Sequence, residues 1–241
     1  MSNWVNARTV KFLELDSMSF VCNHCNKSFL KESSLIVHSC EPRRRQQEKT
    51  ERGVQLGFQS YIKFYELMQG SAKLKTFDDF AGSSYYRAFV KFGRYCVNVK
   101  VINPSRFVEW LLKQNKKLDH WCRDSIYTEY LIDYLKIEAV DDVLLRAIEY
   151  GLDWEDATGN LSHDCLRYGN PNALTHAVVS GRISPWVIYN SASGQEFLSN
   201  LNTEQLAIVW PYLDVDFWQK KFKDYPADQE YVKEMLKKAG W

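Results

Sequence analysis

The run FVCNHCNKSFLKESSLIVHSC, from Phe20 to Cys40, limits what this chain can fold into more than any other stretch. Cys22 and Cys25 form a Cys-x-x-Cys pair, and Phe29, Leu35, His38 and Cys40 follow. Thiolate sulfur and imidazole nitrogen are the ligands that a tetrahedral structural zinc prefers, and a short hairpin followed by a helix brings them together. So short a segment cannot bury enough surface to fold unaided, which leaves a bound ion as its organising centre. The competing reading is a buried cysteine pair in a reduced protein, with His38 in register by coincidence. His24 reads as an exposed loop residue.

Three residues separate Cys25 from Phe29, five separate Phe29 from Leu35, and two separate Leu35 from His38. In these spacings the segment resembles the Cys2His2 zinc finger, over about a tenth of the chain. The resemblance implies a small ββα unit holding Zn2+ through Cys22, Cys25, His38 and Cys40. Such helices often enter the major groove, and here the presented side chains would be Lys31, Glu32, Ser33 and Ser34. The departure lies at the fourth ligand, because only Ser39 separates His38 from Cys40. Residues two apart do not share a helical face, so either the helix stops near His38 and the chain turns back, or something else completes the site. Glu41-Pro42 favours the stop, since the residue before proline is pushed out of the helical region.

The net charge of +1 conceals a division. Residues 1–127 hold 21 Lys and Arg against 12 Asp and Glu, a balance of +9; residues 128–241 hold 10 against 18, a balance of −8. A basic half carrying a finger suits phosphate, whereas an acidic half repels it and suits a protein partner. The two halves attracting each other is the alternative. Of six cysteines, Cys96, Cys122 and Cys165 lie beyond the finger without a paired framework, as expected in a reducing cytosol. No signal peptide opens the sequence and no apolar run approaches a membrane span, so a soluble cytoplasmic protein is expected.

Three regions are expected: an N-terminal arm and finger over 1–41, a basic linker or helix over 42–53, and a helical domain over 54–241. The last divides near 125–150 into basic and acidic parts. In the arm, Val10, Phe12 and Leu13 are enough for a short strand. Arg43, Arg44 and Arg45 read either as a solvated linker or as a phosphate clamp, since guanidinium forks suit phosphate oxygens. Phe58, Tyr61, Ile62, Tyr65 and Met68 mark an amphipathic helix with Gly70 placed to stop it. Phe77 to Val99 predicts another, with Arg87, Lys91 and Arg94 along one side. That stripe reads as core with a wet basic back, or as a stacking surface for single strands. Cys96 to Ile102 alternates well enough for a strand. Asp141 and Asp142 open a helix that Gly151 is expected to end, and shorter helices follow to Lys238. The fold class is therefore mainly α, a small N-terminal ββα finger followed by an all-helical body.

No Gly-rich phosphate loop, Gly-x-Ser-x-Gly elbow or His-Glu-x-x-His occurs. Asp141, Asp142, Glu155 and Asp156 can be drawn as a metal-nuclease site, but carboxylates that open helices and offset the dipole explain them more cheaply. His120 with Cys122, and His163 with Cys165, lack a partnering Cys-x-x-Cys and read as packing residues. No catalysis and no small-molecule substrate are expected. With HSCEPRRR from His38, the aromatic helix around Tyr61 to Tyr65, IYTEYL from Ile126, ISPW from Ile183 and DFWQKKF from Asp216, most of the chain resembles an uncharacterised zinc-finger protein family of T-even-type tailed bacteriophages. That resemblance implies an accessory protein in the cytoplasm of an infected bacterium. The leading expectation is a non-enzymatic, nucleic-acid-associated protein contacting DNA through the finger, Lys31, Arg43, Arg44, Arg45, Arg87, Lys91 and Arg94, with its acidic half on a protein partner. The alternatives are a protein-contact module with a purely structural finger and, more weakly, a nuclease subunit.

Overall fold

The computed structural model describes residues 19–70 and 74–241, and the N-terminal arm expected over Met1 to Met18 lies outside them. Strands β1 (Phe20–Val21) and β2 (Ser28–Phe29) pair antiparallel with Phe20 opposite Phe29. They carry the only sheet among the described residues. Helix α1 (Glu32–Val37) follows, then α2 (Glu41–Gln47) with a 3-10 turn over Glu48–Thr50. Of the two forms expected for this segment, linker or helix, it takes the helical one, docked on the body rather than solvated. The side chain of Gln46 donates to Asp78 at 2.7 Å, and Arg45 donates to the Ala81 carbonyl at 2.5 Å.

Helices α3 (Arg52–Gln69), α4 (Phe77–Gly82), α5 (Tyr86–Val99) and α6 (Pro104–Lys113) build the first part of the body. Phe77 to Val99, expected as one helix, is two. Thr76 and Asp79 form a capping box that starts α4, and the turn at Ser83–Tyr85 redirects the chain before α5. Cys96 to Ile102 is not a strand either. The α5 helix runs to Val99 and ends on Lys100, whose left-handed φ of 54° lets the Val101 N–H close on the Cys96 carbonyl. The alternating Val97, Val99 and Val101 do not share a buried face: Val101 joins Cys96 in the core while Val99 is exposed.

Helices α7 (Asp124–Leu135) and α8 (Val140–Thr158) come next, then α9 (Cys165–Tyr168), α10 (Pro171–Val179), α11 (Pro185–Asn190) and α12 (Ala192–Asn200). The last three are α13 (Thr203–Val209), α14 (Val215–Asp224) and α15 (Pro226–Lys238). Gly151 does not end α8 but lies buried inside it. A Cβ there would meet the Ser162 carbonyl at 2.9 Å and the Trp241 ring at 3.1 Å, so the residue is small to let the chain pass.

One continuous apolar core joins both halves of the body. Phe80, Phe89, Phe92, Phe107, Trp121 and Tyr130 fill its first part, and Trp186 and Trp218 pack at 5.9 Å in the second. Burying a side chain of this class stabilises by roughly 1.5–3 kcal/mol. Three of them also bond through their polar atoms: Trp121 Nε1 donates to the Lys116 carbonyl, Trp218 Nε1 to that of Tyr212, and the Tyr130 hydroxyl to that of Ile102, each at 3.0 Å, whereas the buried Trp186 Nε1 has no partner among the described residues. This rigid frame holds α5, and α5 carries the basic face considered below.

Candidate metal centre and basic groove

Four side chains from the N-terminal segment converge. The sulfurs of Cys22, Cys25 and Cys40 and a ring nitrogen of His38 all lie within 4.8 Å of one another, with Cys22 Sγ 3.9 Å from Cys40 Sγ and Cys25 Sγ 3.2 Å from His38 Nε2. A tetrahedral zinc with ordinary Zn–S and Zn–N bonds has ligand–ligand edges of about 3.5–3.8 Å. The cluster brackets those edges, and its donor set suits a soft tetrahedral ion. Among the described residues, no other group of three or more His, Cys, Asp and Glu side chains is close enough to hold a metal.

The local sequence explains the convergence. Asn26, with φ of 56°, tightens the knuckle so that its N–H reaches the Cys22 carbonyl at 2.8 Å and the Cys22 N–H reaches Lys27 O at 2.9 Å. The His24 backbone N–H directed at its sulfur holds the Cys22 thiol below its ordinary value; for Cys25 the Lys27 backbone N–H also favours the thiolate, but burial and the Cys40 and Cys22 sulfurs leave that thiol above its ordinary value. Phe29 packs on the His38 ring at 4.7 Å and fixes its orientation. The two-residue spacing of His38 and Cys40 also resolves. Helix α1 stops at Val37, His38 and Cys40 are both extended, and in extended backbone residues two apart point to one side. His24 is exposed and belongs to no cluster.

The residues expected to contact phosphate fall into two groups. Arg44, Arg45, Arg87, Lys91 and Arg94 line a single groove of about 680 Å³ between α2 and α5, although 38 residues separate the two helices. Glu41 and Glu48 also line it, so the charge is five positive against two negative, or +3. Lys31, by contrast, is the exposed residue preceding α1, and Arg43 turns toward the finger, where its Nη1 lies 2.7 Å from the His38 carbonyl.

The glutamates in and beside the groove were not singled out in the sequence, and they organise it. Arg87 Nε and Nη2 donate to Glu41 at 3.0–3.2 Å, and Arg45 donates to the same carboxylate at 2.5 Å. Arg94 Nε and Nη2 grip Glu51 at 2.7 and 2.6 Å. Hydrogen bonds from Arg45 and Arg87 hold the Glu41 carboxyl below its usual range, and Arg94 does the same to Glu51. Each of Arg87 and Arg94 is oriented by these bonds and keeps Nη1 without a partner among the described residues. Lys91 has no ion-pair partner among the described residues. Only the i,i+4 relation of Glu41 to Arg45 was legible; the pairings over more than forty residues leave no trace in sequence.

The carboxylates considered for a nuclease do not assemble. Asp141 and Asp142 begin α8 while Glu155 and Asp156 lie near its other end, about 20 Å along the axis at 1.5 Å per residue. Asp141 accepts the Tyr231 hydroxyl at 3.0 Å and Glu155 accepts the Ser162 N–H at 2.9 Å. Cys165 is fully buried and Cys122 half-buried, and neither joins a metal cluster with its neighbouring histidine. Among the described residues no helix is long and apolar enough to cross a membrane.

Fold and site together define the class: a mainly helical protein whose small N-terminal ββα element carries a Cys3His cluster able to hold a metal ion. No protein-family model, no curated protein and no solved structure matches the chain.

Proposed function

We propose that the protein is a non-enzymatic, nucleic-acid-associated accessory protein, with Zn2+ held by Cys22, Cys25, His38 and Cys40 and a phosphate backbone taken up in the groove between α2 and α5. When bound, zinc supplies a structural cross-link and no reactive position, because four protein ligands close the tetrahedron. The observation that carries the reading is the meeting of Arg44, Arg87, Lys91 and Arg94 in one groove beside the helix that leaves the metal cluster. A guanidinium has five N–H donors. The Glu41 and Glu51 bonds therefore preorganise Arg87 and Arg94 while leaving donors for phosphate oxygens. The acidic residues beyond 128 are left for a protein partner, and the setting we favour is the cytoplasm of a phage-infected bacterium.

The test is fluorescence anisotropy with labelled single- and double-stranded oligonucleotides across a salt series. Affinity is expected to fall steeply between about 50 and 200 mM salt, with each phosphate contact adding about 0.7–0.9 to the logarithmic slope. Replacing Arg44 and Lys91 together by Ala should flatten that slope by nearly two contacts. Absence of binding at low salt, or an unchanged slope in the double variant, overturns the reading. A second reading, a zinc-stapled protein contact, is favoured by one observation: on the finger, Leu30 is 83%, Val37 80% and Ile36 67% exposed. Nuclease treatment of a pull-down separates the two, since contacts through nucleic acid vanish and direct protein contacts persist.

A further inference from the structure

A His-x-Cys pair serves as two ligands only if the helix ends at the right residue. In an uninterrupted helix the carbonyls of Leu35 and Ile36 would accept from the N–H groups of Ser39 and Cys40, and His38 and Cys40 would then diverge. In the structure neither bond forms. The Arg43 guanidinium fills their place: Nη1 lies 2.7 Å from His38 O and 3.4 Å from both Leu35 O and Ile36 O. The His38 N–H also reaches Leu35 O, at 3.2 Å; helix α1 has no basic residue in its own last turn, so this cation, returning from α2, lies over its last carbonyls and opposes its dipole.

We infer that Arg43 is the positioning residue of the metal centre, holding the extended His38–Cys40 turn that lets a two-residue spacing replace the longer one of a Cys2His2 finger. Arg43 thereby leaves the phosphate-binding set, in which its sequence neighbour Arg44 remains. The inference rests on the zinc reading of the cluster and is independent of nucleic acid.

The full chain is titrated with Zn2+ against a chromophoric chelator, and with Co2+, whose thiolate absorption reports how many cysteines bind. Arg43→Ala should weaken metal affinity about 10–100-fold, the usual effect of losing an outer-shell partner. Arg43→Lys, which can still reach one carbonyl, should fall between. Arg106→Ala, on an exposed surface pair with Glu109, should match the unmodified chain. In a double-mutant cycle, Cys40→Ala should cost much less affinity when Arg43 is already Ala, because the turn that presents Cys40 has gone. Far-UV melting checks that the helical body is intact in every variant. If Arg43→Ala binds both metals like the unmodified chain, or if the Cys40 and Arg43 losses simply add, the role of Arg43 falls while the zinc reading stands. If the unmodified chain takes up neither metal, the zinc reading fails and takes this inference with it.

Discussion

Gly93 of α5 stands backbone to backbone with Gly57 of α3: a Cβ on Gly93 would lie 2.4 Å from the Gly57 nitrogen and 2.0 Å from the Gly53 carbonyl oxygen. These atoms are backbone and cannot swing aside. Gly93→Ala should therefore destabilise the body by about 3 kcal/mol, the upper end for overpacking, lowering the urea midpoint. Gly82→Ala, where nothing lies within 4 Å, is the control and should stay within about 0.5 kcal/mol. Because α5 carries Arg87, Lys91 and Arg94, pushing it off α3 should also weaken oligonucleotide binding in the same variant.

Cysteine reactivity should divide the chain. Burial pushes the thiols of Cys96 and Cys165 up to about 12, so neither offers thiolate near neutral pH. In zinc-loaded protein the finger thiols should resist alkylation, and a strong chelator should release Cys22, Cys25 and Cys40 together. Cys96 and Cys165 should react only after denaturation. Mass spectrometry of alkylated peptides checks this. The α1 helix, six residues long, is too short to persist alone, so its amides should lose protection with the metal while those of α5 and α8 do not.

Glu51 orients Arg94 but also offsets its charge toward a phosphate. Its two oxygens take Nε and Nη2 of that guanidinium on a largely exposed surface, where such pairs are worth about 0.2–1 kcal/mol. Glu51→Gln should therefore tighten oligonucleotide binding by up to about fivefold at low salt. Anisotropy titrations check this, and weaker binding would show that orientation of Arg94 matters more than its release.

Much of this was readable from local chemistry. Ser184 caps α11 and Asp214 caps α14 through their own side chains, and Asn202 with Gln205 forms the capping box of α13. Such signals depend on neighbours in sequence. The four cluster residues were readable for the same reason, since their spacing is local. What sequence hid depends on remote partners. Gly151 resembles a stop signal until Ser162 and Trp241 are seen pressing on it, and Arg43 resembles its two neighbours until it is found on the carbonyls of α1. Arg87 and Glu41 are 46 residues apart, so no window of sequence joins them.

The last prediction concerns Glu138, whose carboxylate is wholly buried between two turns of the body. It accepts from Arg146 at 2.5 Å and from the Ser184 hydroxyl at 2.7 Å, and so ties the start of α8 to the cap of α11. Burial pushes its acidity toward the neutral form, and the attraction of Arg146 only partly opposes this, so its folded pKa lies above the ordinary carboxylate value. A raised folded pKa means that the folded chain binds this proton more readily than the unfolded chain does. The contribution is then fully present below about pH 4.3, the unfolded value, and is lost as pH rises through the folded value. Glu138→Gln keeps the shape and an acceptor while removing the titration. Relative to that variant, the unmodified chain should gain stability as pH falls toward about 4.3, measured by urea unfolding at several pH values. A constant difference across the series would show that burial does not govern this carboxyl. Arg146→Ala removes the one cation paired with it among the described residues, and the loss near neutral pH should be about 3–5 kcal/mol, the usual result of stranding a buried charge.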